Sequence, residues 1–321
     1  MGLPEGPLLD WGMTLLGLVI LVLAGDALVK GAVNLSLRLG VPALIVSLTI
    51  VAFGTSAPEL IISINAILDD VPGIALGNVV GSNTANILLV LGVPALLATM
   101  HTSECKTRKS YLQMLFATFL FISICFFGPI RWWHGLILLA GLVIMLITAF
   151  LDARRHRKNG KTEEEEVEGA DPSISGRRIA IYLVLGLVGL PLGAELLISG
   201  SVNIARTFGL SESVIGLTLV AIGTSLPELA TTVMAALRRQ ADVALGNVIG
   251  SNMFNLLAII GIAALVGPIP VDPAFLAFDL WIMLGAALLL IPFVFLKKDI
   301  TRLWGIALSG LYLAYMVIVL T

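Results

Sequence analysis

The sequence has 321 residues, of which 58% are hydrophobic and only 12% are charged, and its formal net charge is −2. An ordinary soluble domain carries about 25% charged residues, so this composition excludes a soluble globular protein and requires lipid around most of the surface. The length permits about ten membrane crossings, because each span needs roughly 20 apolar residues. Cys105 and Cys125 match no metal-ligand or disulfide spacing, so we interpret both as structural.

Apolar runs separated by polar, charged or Gly/Pro-containing stretches predict an all-α membrane protein with ten transmembrane helices. The amino terminus lacks the basic region of a signal peptide, so we expect the run that begins at Trp11 to be retained as the first span. The ten predicted spans cover residues 11–37, 42–68, 74–99, 110–127, 132–152, 178–206, 212–237, 243–266, 274–296 and 302–320.

A polar stretch from Asp152 to Arg178 divides the spans into two groups of five. It contains basic residues followed by four glutamates, Glu163 to Glu166, which is typical of a solvated linker, with a regulatory cation-binding segment as the alternative. We therefore expect a first five-helix unit at 1–152, a linker at 153–177 and a second unit at 178–321.

Positive charge predicts the orientation of the chain. If the amino terminus lies outside, sixteen of the 19 lysines and arginines fall in cytoplasmic loops, where positive charge is retained. Both termini are therefore predicted outside and the linker in the cytoplasm, in a multi-pass protein of the cell (inner) membrane.

The two units are related by an internal repeat. A shift of 169 residues aligns Thr49–Gly92 with Thr218–Gly261 without a gap, and 22 of these 44 positions are identical. Five spans per unit is an odd number, so the second unit must enter the membrane from the opposite side. Inverted repeats are a common transporter plan, with the substrate site near the midplane where interrupted helices meet.

Each unit carries the motif Gly-Thr-Ser-x-Pro-Glu-Leu, at residues 54–60 and 223–229. Proline removes a backbone donor and clashes with the preceding turn, so we expect helix breaks near residues 54 and 223 that free carbonyl oxygens. Glu59 and Glu228 lie in mid-span without a basic neighbour, which is costly unless a cation binds or the group is protonated. A protonated structural glutamate or a simple kink is the alternative.

Oxygen is the ligand that Na⁺ and Ca²⁺ prefer, and two facing carboxylates balance one divalent or two monovalent ions. The expected ligands are the carboxylates of Glu59 and Glu228, the hydroxyls of Thr55, Ser56, Thr224 and Ser225, and the carbonyls of Ala52 and Ala221.

A second motif, Gly-Asn-Val-x-Gly-Ser-Asn, occurs at residues 77–83 and 246–252. Its glycines allow close helix approach. Its polar side chains recur at about one-turn spacing, which predicts a polar stripe of ion-coordinating oxygens, with interhelical hydrogen bonding as the alternative. The stripe consists of Asn78, Ser82 and Asn86 in the first unit and Asn247, Ser251 and Asn255 in the second.

Other charges within the predicted spans include Asp26, Lys30 and Glu195. Asp26 and Lys30 are four residues apart, so we expect them to neutralise each other, with a transport role as the alternative. Glu195 aligns with Asp26 but has Ser199 where the lysine would be. A place on the ion access path and a place near a membrane interface are both open for it.

The two motif pairs resemble the alpha-1 and alpha-2 repeats of the cation/Ca²⁺ exchanger superfamily, in its prokaryotic sodium/calcium exchanger-like branch, over essentially all ten spans. The resemblance implies an ion site formed by helices 2, 3, 7 and 8 and a mobile pair of helices 1 and 6. It implies Glu59 and Glu228 as the main Ca²⁺ ligands, shared with Na⁺, and matches Asn78, Ser82 and Ser251 to Na⁺- or water-binding positions.

The function implied is Na⁺/Ca²⁺ antiport by alternating access, without enzyme activity or a cofactor. Asn255 stands where potassium-dependent relatives tend to have aspartate, which favours K⁺ independence, while Asn247 leaves the Na⁺:Ca²⁺ ratio open. Gly81 and Gly250 replace the glutamate of the proton-coupled branch. The alternatives are a proton-coupled or other cation/Ca²⁺ antiporter and, less favoured, a cation channel. The expected partners are Na⁺, Ca²⁺ and the lipid bilayer, with no nucleic acid and no obligate protein partner.

Overall fold

The computed structural model describes residues 6–158, 171, 173–209 and 221–320, and these residues form helices joined by short loops. The α-helices in chain order are α1 (Pro7–Leu39), α2 (Ala43–Val46), α3 (Ala52–Thr55), α4 (Ala57–Leu68), α5 (Gly73–Leu88), α6 (Gly92–Leu97), α7 (Arg108–Phe126), α8 (Trp132–Lys158), α9 (Gly176–Thr207), α10 (Ala221–Gly223), α11 (Leu226–Leu237), α12 (Ala241–Met253), α13 (Ile260–Val266), α14 (Leu280–Leu288), α15 (Ile291–Phe295) and α16 (Arg302–Leu320). Ser47–Val51, Phe254–Ile259 and Phe275–Asp279 are π-helical, and Thr102–Glu104 is a 3₁₀ turn.

Nine of the ten predicted spans have a counterpart among the described residues. Eight helices are long and apolar enough to cross a membrane, and the bent pair Ala43–Thr55 and Ala57–Leu68 supplies a ninth. The remaining predicted span, 212–237, lies partly outside the described residues. Its last part is described and forms α10 and α11. The chain is therefore an all-helical membrane protein, as its composition predicts.

The expected linker begins later than its composition indicates. Helix α8 runs six residues beyond Asp152, to Lys158, and α9 begins at Gly176. Basic side chains are good helix formers, and they are favourable at a helix carboxyl end, where they face the negative end of the helix dipole. The boundary at residue 152 marks where the apolar sequence stops rather than where the helix stops. The glutamate run at 163–166 lies outside the described residues.

Two helices at the centre are almost completely enclosed by the others. The spans Gly73–Leu97 and Ala241–Val266 are 78% and 89% buried over their apolar windows, whereas Trp132–Lys158 is 17% buried. These central spans begin with α5 and α12, which carry the second motif and correspond to each other under the 169-residue shift. The outer helices present their apolar side chains to lipid, so the polar motif residues lie inside a helical shell.

Helices α1 and α9 pack antiparallel through equivalent surfaces. A Cβ atom added to Gly17 would lie 2.5 Å from the backbone nitrogen of Leu197, and one added to Gly186 would lie 2.5 Å from the Cβ atom of Leu28. The 169-residue shift moves Gly17 onto Gly186 and Leu28 onto Leu197, so each contact is the repeat counterpart of the other. Small residues of this kind allow two membrane helices to approach closely.

Gly17→Ala is expected to destabilise the α1–α9 pair, because the new methyl group would collide with the backbone of α9. Overpacking of this kind costs about 1–3 kcal/mol of folding free energy. We expect a lower unfolding temperature in detergent, measured by the loss of the monodisperse chromatographic peak on heating. Gly12→Ala is the control, because no atom lies within 4 Å of its added Cβ. Equal thermal stability of the two variants would contradict this description of the interface.

Candidate functional site

Both copies of the first motif interrupt a helix at the same position. Ser56 separates α3 from α4 with φ −86° and ψ 4°, and Ser225 separates α10 from α11 with φ −88° and ψ 4°. The two segments on either side of Ser56 are bent by 41°. Pro58 and Pro227 lie in the first turn of the following helix. Backbone N–H groups in a first turn have no acceptor within the helix, so proline costs no hydrogen bond there. The breaks predicted from the prolines are present, two residues later than expected.

The structure brings the two motif copies into one site. The Ser56 hydroxyl, from the first copy, donates to Oε1 of Glu228, from the second, at 3.3 Å. The Ser251 hydroxyl donates to the same oxygen at 3.4 Å. Thr55 Oγ1 donates to Oδ1 of Asn247 at 3.3 Å and also lies 3.4 Å from Oγ of Ser251. Residues 172 to 196 positions apart in sequence are therefore direct neighbours.

Glu59 and Glu228 are the buried charges of this site. Each side chain is about 1% exposed. Ser56, which contacts the Glu228 carboxylate, precedes Glu59 by three residues. Oε2 of each glutamate is buried and has no hydrogen-bond partner among the described residues. Burying a charged oxygen without a partner is costly, so each carboxylate must be neutralised by a cation or by a proton.

Neutral side-chain oxygens in both repeats share this property. Among the described residues, Oδ1 of Asn86, Oδ1 of Asn255 and Oγ of Ser225 are also buried and without a hydrogen bond. The described residues contain no group of three or more histidine, cysteine or acidic side chains that could hold a metal ion. Carboxylate, amide and hydroxyl oxygens are donors of the kind that hard cations such as Na⁺ and Ca²⁺ prefer.

Two asparagines of the second motif fix the backbone of the glutamates. Nδ2 of Asn78 donates to the carbonyl oxygen of Glu59 at 3.2 Å, and Nδ2 of Asn247 donates to that of Glu228 at 3.4 Å. The same amides donate to Oγ of Ser63 at 3.2 Å and to Oγ1 of Thr232 at 3.3 Å. The amide nitrogens therefore serve interhelical bonding, which was the alternative interpretation. The motifs alone did not predict either hydroxyl partner, although Ser63 and Thr232 occupy equivalent positions under the 169-residue shift.

A network of four asparagines joins α5 to the α12 span. Nδ2 of Asn83 and Nδ2 of Asn252 donate to each other's backbone carbonyls at 3.3 and 3.4 Å. Nδ2 of Asn86 donates to Oδ1 of Asn252 at 3.0 Å, and Nδ2 of Asn255 donates to Oδ1 of Asn83 at the same distance. Every bond recurs under the 169-residue shift. The sequence placed Asn86 and Asn255 on the polar stripes but did not predict their pairing with Asn83 and Asn252.

The prediction of a free carbonyl at Ala52 is wrong. Its oxygen accepts a hydrogen bond from the Ser56 backbone nitrogen at 3.0 Å and lies 3.3 Å from Oγ1 of Thr55. The helix breaks only after Ser56, so the last turn of α3 still closes on Ala52. Of the other predicted ligands, Ser82 is buried in α5, Thr224 is half-buried in the break before α11, and Ala221 begins α10.

Comparison with known proteins gives a consistent result. Residues 9–151 and 178–321 match the family described as sodium/calcium exchanger protein. The chain is 36% identical over 277 residues to the putative antiporter CaxA of Alkalimonas amylolytica, with 86% of this chain and 87% of that protein covered. It is 35% identical over 339 residues to the sodium/calcium exchanger MaX1 of Methanosarcina acetivorans, covering 95% and 96%.

A solved structure is similar over nearly the whole chain. The sodium-calcium exchanger NCX_Mj, soaked with Na⁺ and Sr²⁺, superimposes with a TM-score of 0.81 at 32% sequence identity. The alignment covers 97% of this chain and 99% of that one. The arrangement of helices described above is therefore also found in an experimentally determined structure.

Proposed function

Because this chain belongs to the sodium/calcium exchanger protein family, within the cation/Ca²⁺ exchanger superfamily, we propose that it is a secondary antiporter that exchanges Na⁺ for Ca²⁺ across the membrane. The observation that carries the proposal is the pair of buried carboxylates, Glu59 and Glu228. One comes from each repeat, and each has an oxygen atom without a partner among the described residues.

Charge balance explains how one site can serve both ions. The two carboxylates together balance one Ca²⁺ or two Na⁺, so either occupancy neutralises the buried charge and the two kinds of ion compete. Ca²⁺ takes six to eight oxygen ligands, and the hydroxyls of Ser56 and Ser251 already contact a carboxylate oxygen of Glu228. The proposed ligands are Glu59, Glu228, Thr55, Ser56, Thr224, Ser225, Asn78, Asn247, Ser82 and Ser251, with the carbonyl of Ala221; to these we add Asn86 and Asn255.

The proposed architecture is two inverted five-helix repeats, at 1–152 and 178–321, joined by a cytoplasmic linker, with both termini outside. The recurrence of contacts under the 169-residue shift supports it. A two-fold relation makes each contact between the repeats occur twice, with the partners exchanged. The Gly17–Leu197 and Gly186–Leu28 contacts form one such pair, and the bonds between Asn83 and Asn252 form another. Alternating access would then be a movement of the α1–α9 pair over the helices that hold the site.

Flux measurements in reconstituted vesicles test the function. We expect radiolabelled Ca²⁺ to accumulate against its gradient when a Na⁺ gradient is imposed, and K⁺ to leave the rate unchanged. Ca²⁺ accumulation that follows a pH gradient and ignores Na⁺ would replace this proposal with proton-coupled antiport on the same scaffold. Ca²⁺ movement that only dissipates its own gradient would indicate a channel.

A further inference from the structure

The α1–α9 pair contacts both broken helices, but it packs unequally against their second halves, α4 and α11. Helix α1 lies along α11 so closely that a Cβ atom on Gly25 would be 3.0 Å from the carbonyl oxygen of Ala230. Helix α9 also contacts α11. Helix α4 is the repeat counterpart of α11, yet neither α1 nor α9 makes a comparable contact with it. The repeats are similar in sequence, but the pair is placed asymmetrically between them.

An ion pair joins α1 to the carboxyl end of α11. Asp26, in α1, accepts a hydrogen bond from Nε of Arg238 at 2.6 Å and also contacts the Nη2 atom of that residue. Lys30 lies 2.8 Å from the other carboxylate oxygen, which confirms the predicted pairing within α1. The Asp26 and Arg238 side chains are 22% and 28% exposed. Arg238 directly follows α11 and lies 212 residues from Asp26 in sequence. The sequence did not predict this ion pair.

Among the residues that the structure describes, the opposite side has no equivalent ion pair. Under the 169-residue shift Asp26 corresponds to Glu195, and Arg238 corresponds to Asp69. Glu195 is exposed in α9 and has no hydrogen bond or ion pair with another described residue. If the α1–α9 pair moved to the mirrored position, Glu195 would approach Asp69, and two negative charges would meet where the present structure has opposite charges. Repulsion of like charges disfavours that arrangement.

We propose that Asp26 and Arg238 form an electrostatic latch that positions the α1–α9 pair against α11 and sets the balance between the two access states. This inference rests on the proposed function, because it assumes alternating access. Arg238 lies at the predicted cytoplasmic side, so the latch closes the cytoplasmic access path and favours the state open to the outside. A group that contacts only one of two states shifts the population toward that state.

Neutralising either partner should release the latch. Asp26→Asn and Arg238→Gln are each expected to raise the ratio of inward-open to outward-open protein about fivefold, the effect of roughly 1 kcal/mol. Spin labels after α4 and α9, at Val71 and Phe208, report this change as a shorter distance when α9 approaches α4. Both positions are exposed. Asp70→Asn is the control, because it removes a carboxylate next to Asp69 that takes no part in the Asp26–Arg238 ion pair. It should leave the distance distribution unchanged.

Building the missing latch is the sharper test. Asp69→Arg places a cation opposite Glu195, so the short-distance population should also rise about fivefold, and this gain should vanish in the double variant with Glu195→Gln. Vesicle flux should show the apparent Michaelis constant for Ca²⁺ falling on the cytoplasmic side and rising on the outer side. Unchanged distance distributions in all three single variants would overturn the latch, even where Na⁺-driven Ca²⁺ exchange is measured. Distance shifts in a protein without Na⁺-driven flux would overturn the proposed function and leave the latch standing.

Discussion

Glu59→Gln and Glu228→Gln are each expected to reduce Ca²⁺ transport at least about 100-fold while leaving the protein folded. The amide keeps the shape of the side chain but removes one negative charge and replaces an acceptor oxygen with a donor nitrogen. One remaining carboxylate does not balance a divalent ion, and an N–H group pointing at the cation repels it. A 100-fold loss corresponds to about 2.8 kcal/mol, within the range for an unpaired buried charge. The initial rate of Na⁺-driven Ca²⁺ uptake measures it.

Ca²⁺-dependent thermal stability separates loss of binding from loss of folding. A ligand that binds only the folded state stabilises it by about 2.7 kcal/mol at 100 times its dissociation constant. The unfolding temperature of the original protein should therefore rise with Ca²⁺, and that of the glutamine variants should not. Asp70→Asn is the matched control, because Asp70 is exposed at φ 60°, a backbone conformation that asparagine tolerates. Full transport by either glutamine variant would remove that glutamate from the proposed ligand set.

The sequence predicted the parts of this fold that depend on local or repeated patterns. Apolar runs located nine of the described spans, because a bilayer requires about 20 apolar residues regardless of tertiary contacts. The prolines of the first motif predicted both helix breaks, because the missing N–H acts within one turn. The polar stripes of the second motif identified helices that proved to be central and buried, since polar residues in a membrane span avoid lipid.

What the sequence did not predict depends on contacts between distant residues. The Asp26–Arg238 ion pair and the exchange of bonds between Asn83 and Asn252 join residues 212 and 169 positions apart. The Ala52 carbonyl was expected to be free because the proline position does not specify on which residue the preceding helix closes. Repetition in sequence also concealed a difference in structure. The shift of 169 residues aligns α4 with α11, but among the described residues the α1–α9 pair packs far more extensively against α11.

Gly250→Ala is expected to lower both stability and transport, because Gly250 lies against backbone that cannot yield without moving the site. A Cβ atom there would be 2.5 Å from the carbonyl oxygen of Leu48 and 2.6 Å from the Cβ atom of Ala52. Leu48 belongs to the π-helical segment that leads into α3, and Oγ of Ser47 holds this segment to the Val243 carbonyl at 2.6 Å. The methyl group must therefore displace α3 from α12.

That displacement would separate Thr55 from its partners on α12, Asn247 and Ser251, which lie only 3.3 and 3.4 Å away. Overpacking of about 1–3 kcal/mol predicts a lower unfolding temperature, and the shift of Thr55 predicts at least about a tenfold loss of Na⁺-driven Ca²⁺ uptake per folded molecule. Gly310→Ala is the control, since its Cβ meets no atom within 4 Å in an exposed part of α16 and alanine is the better helix former. Transport by Gly250→Ala equal to that of Gly310→Ala would show that the site tolerates movement of α3, contrary to a ligand shell shared between α3 and α12.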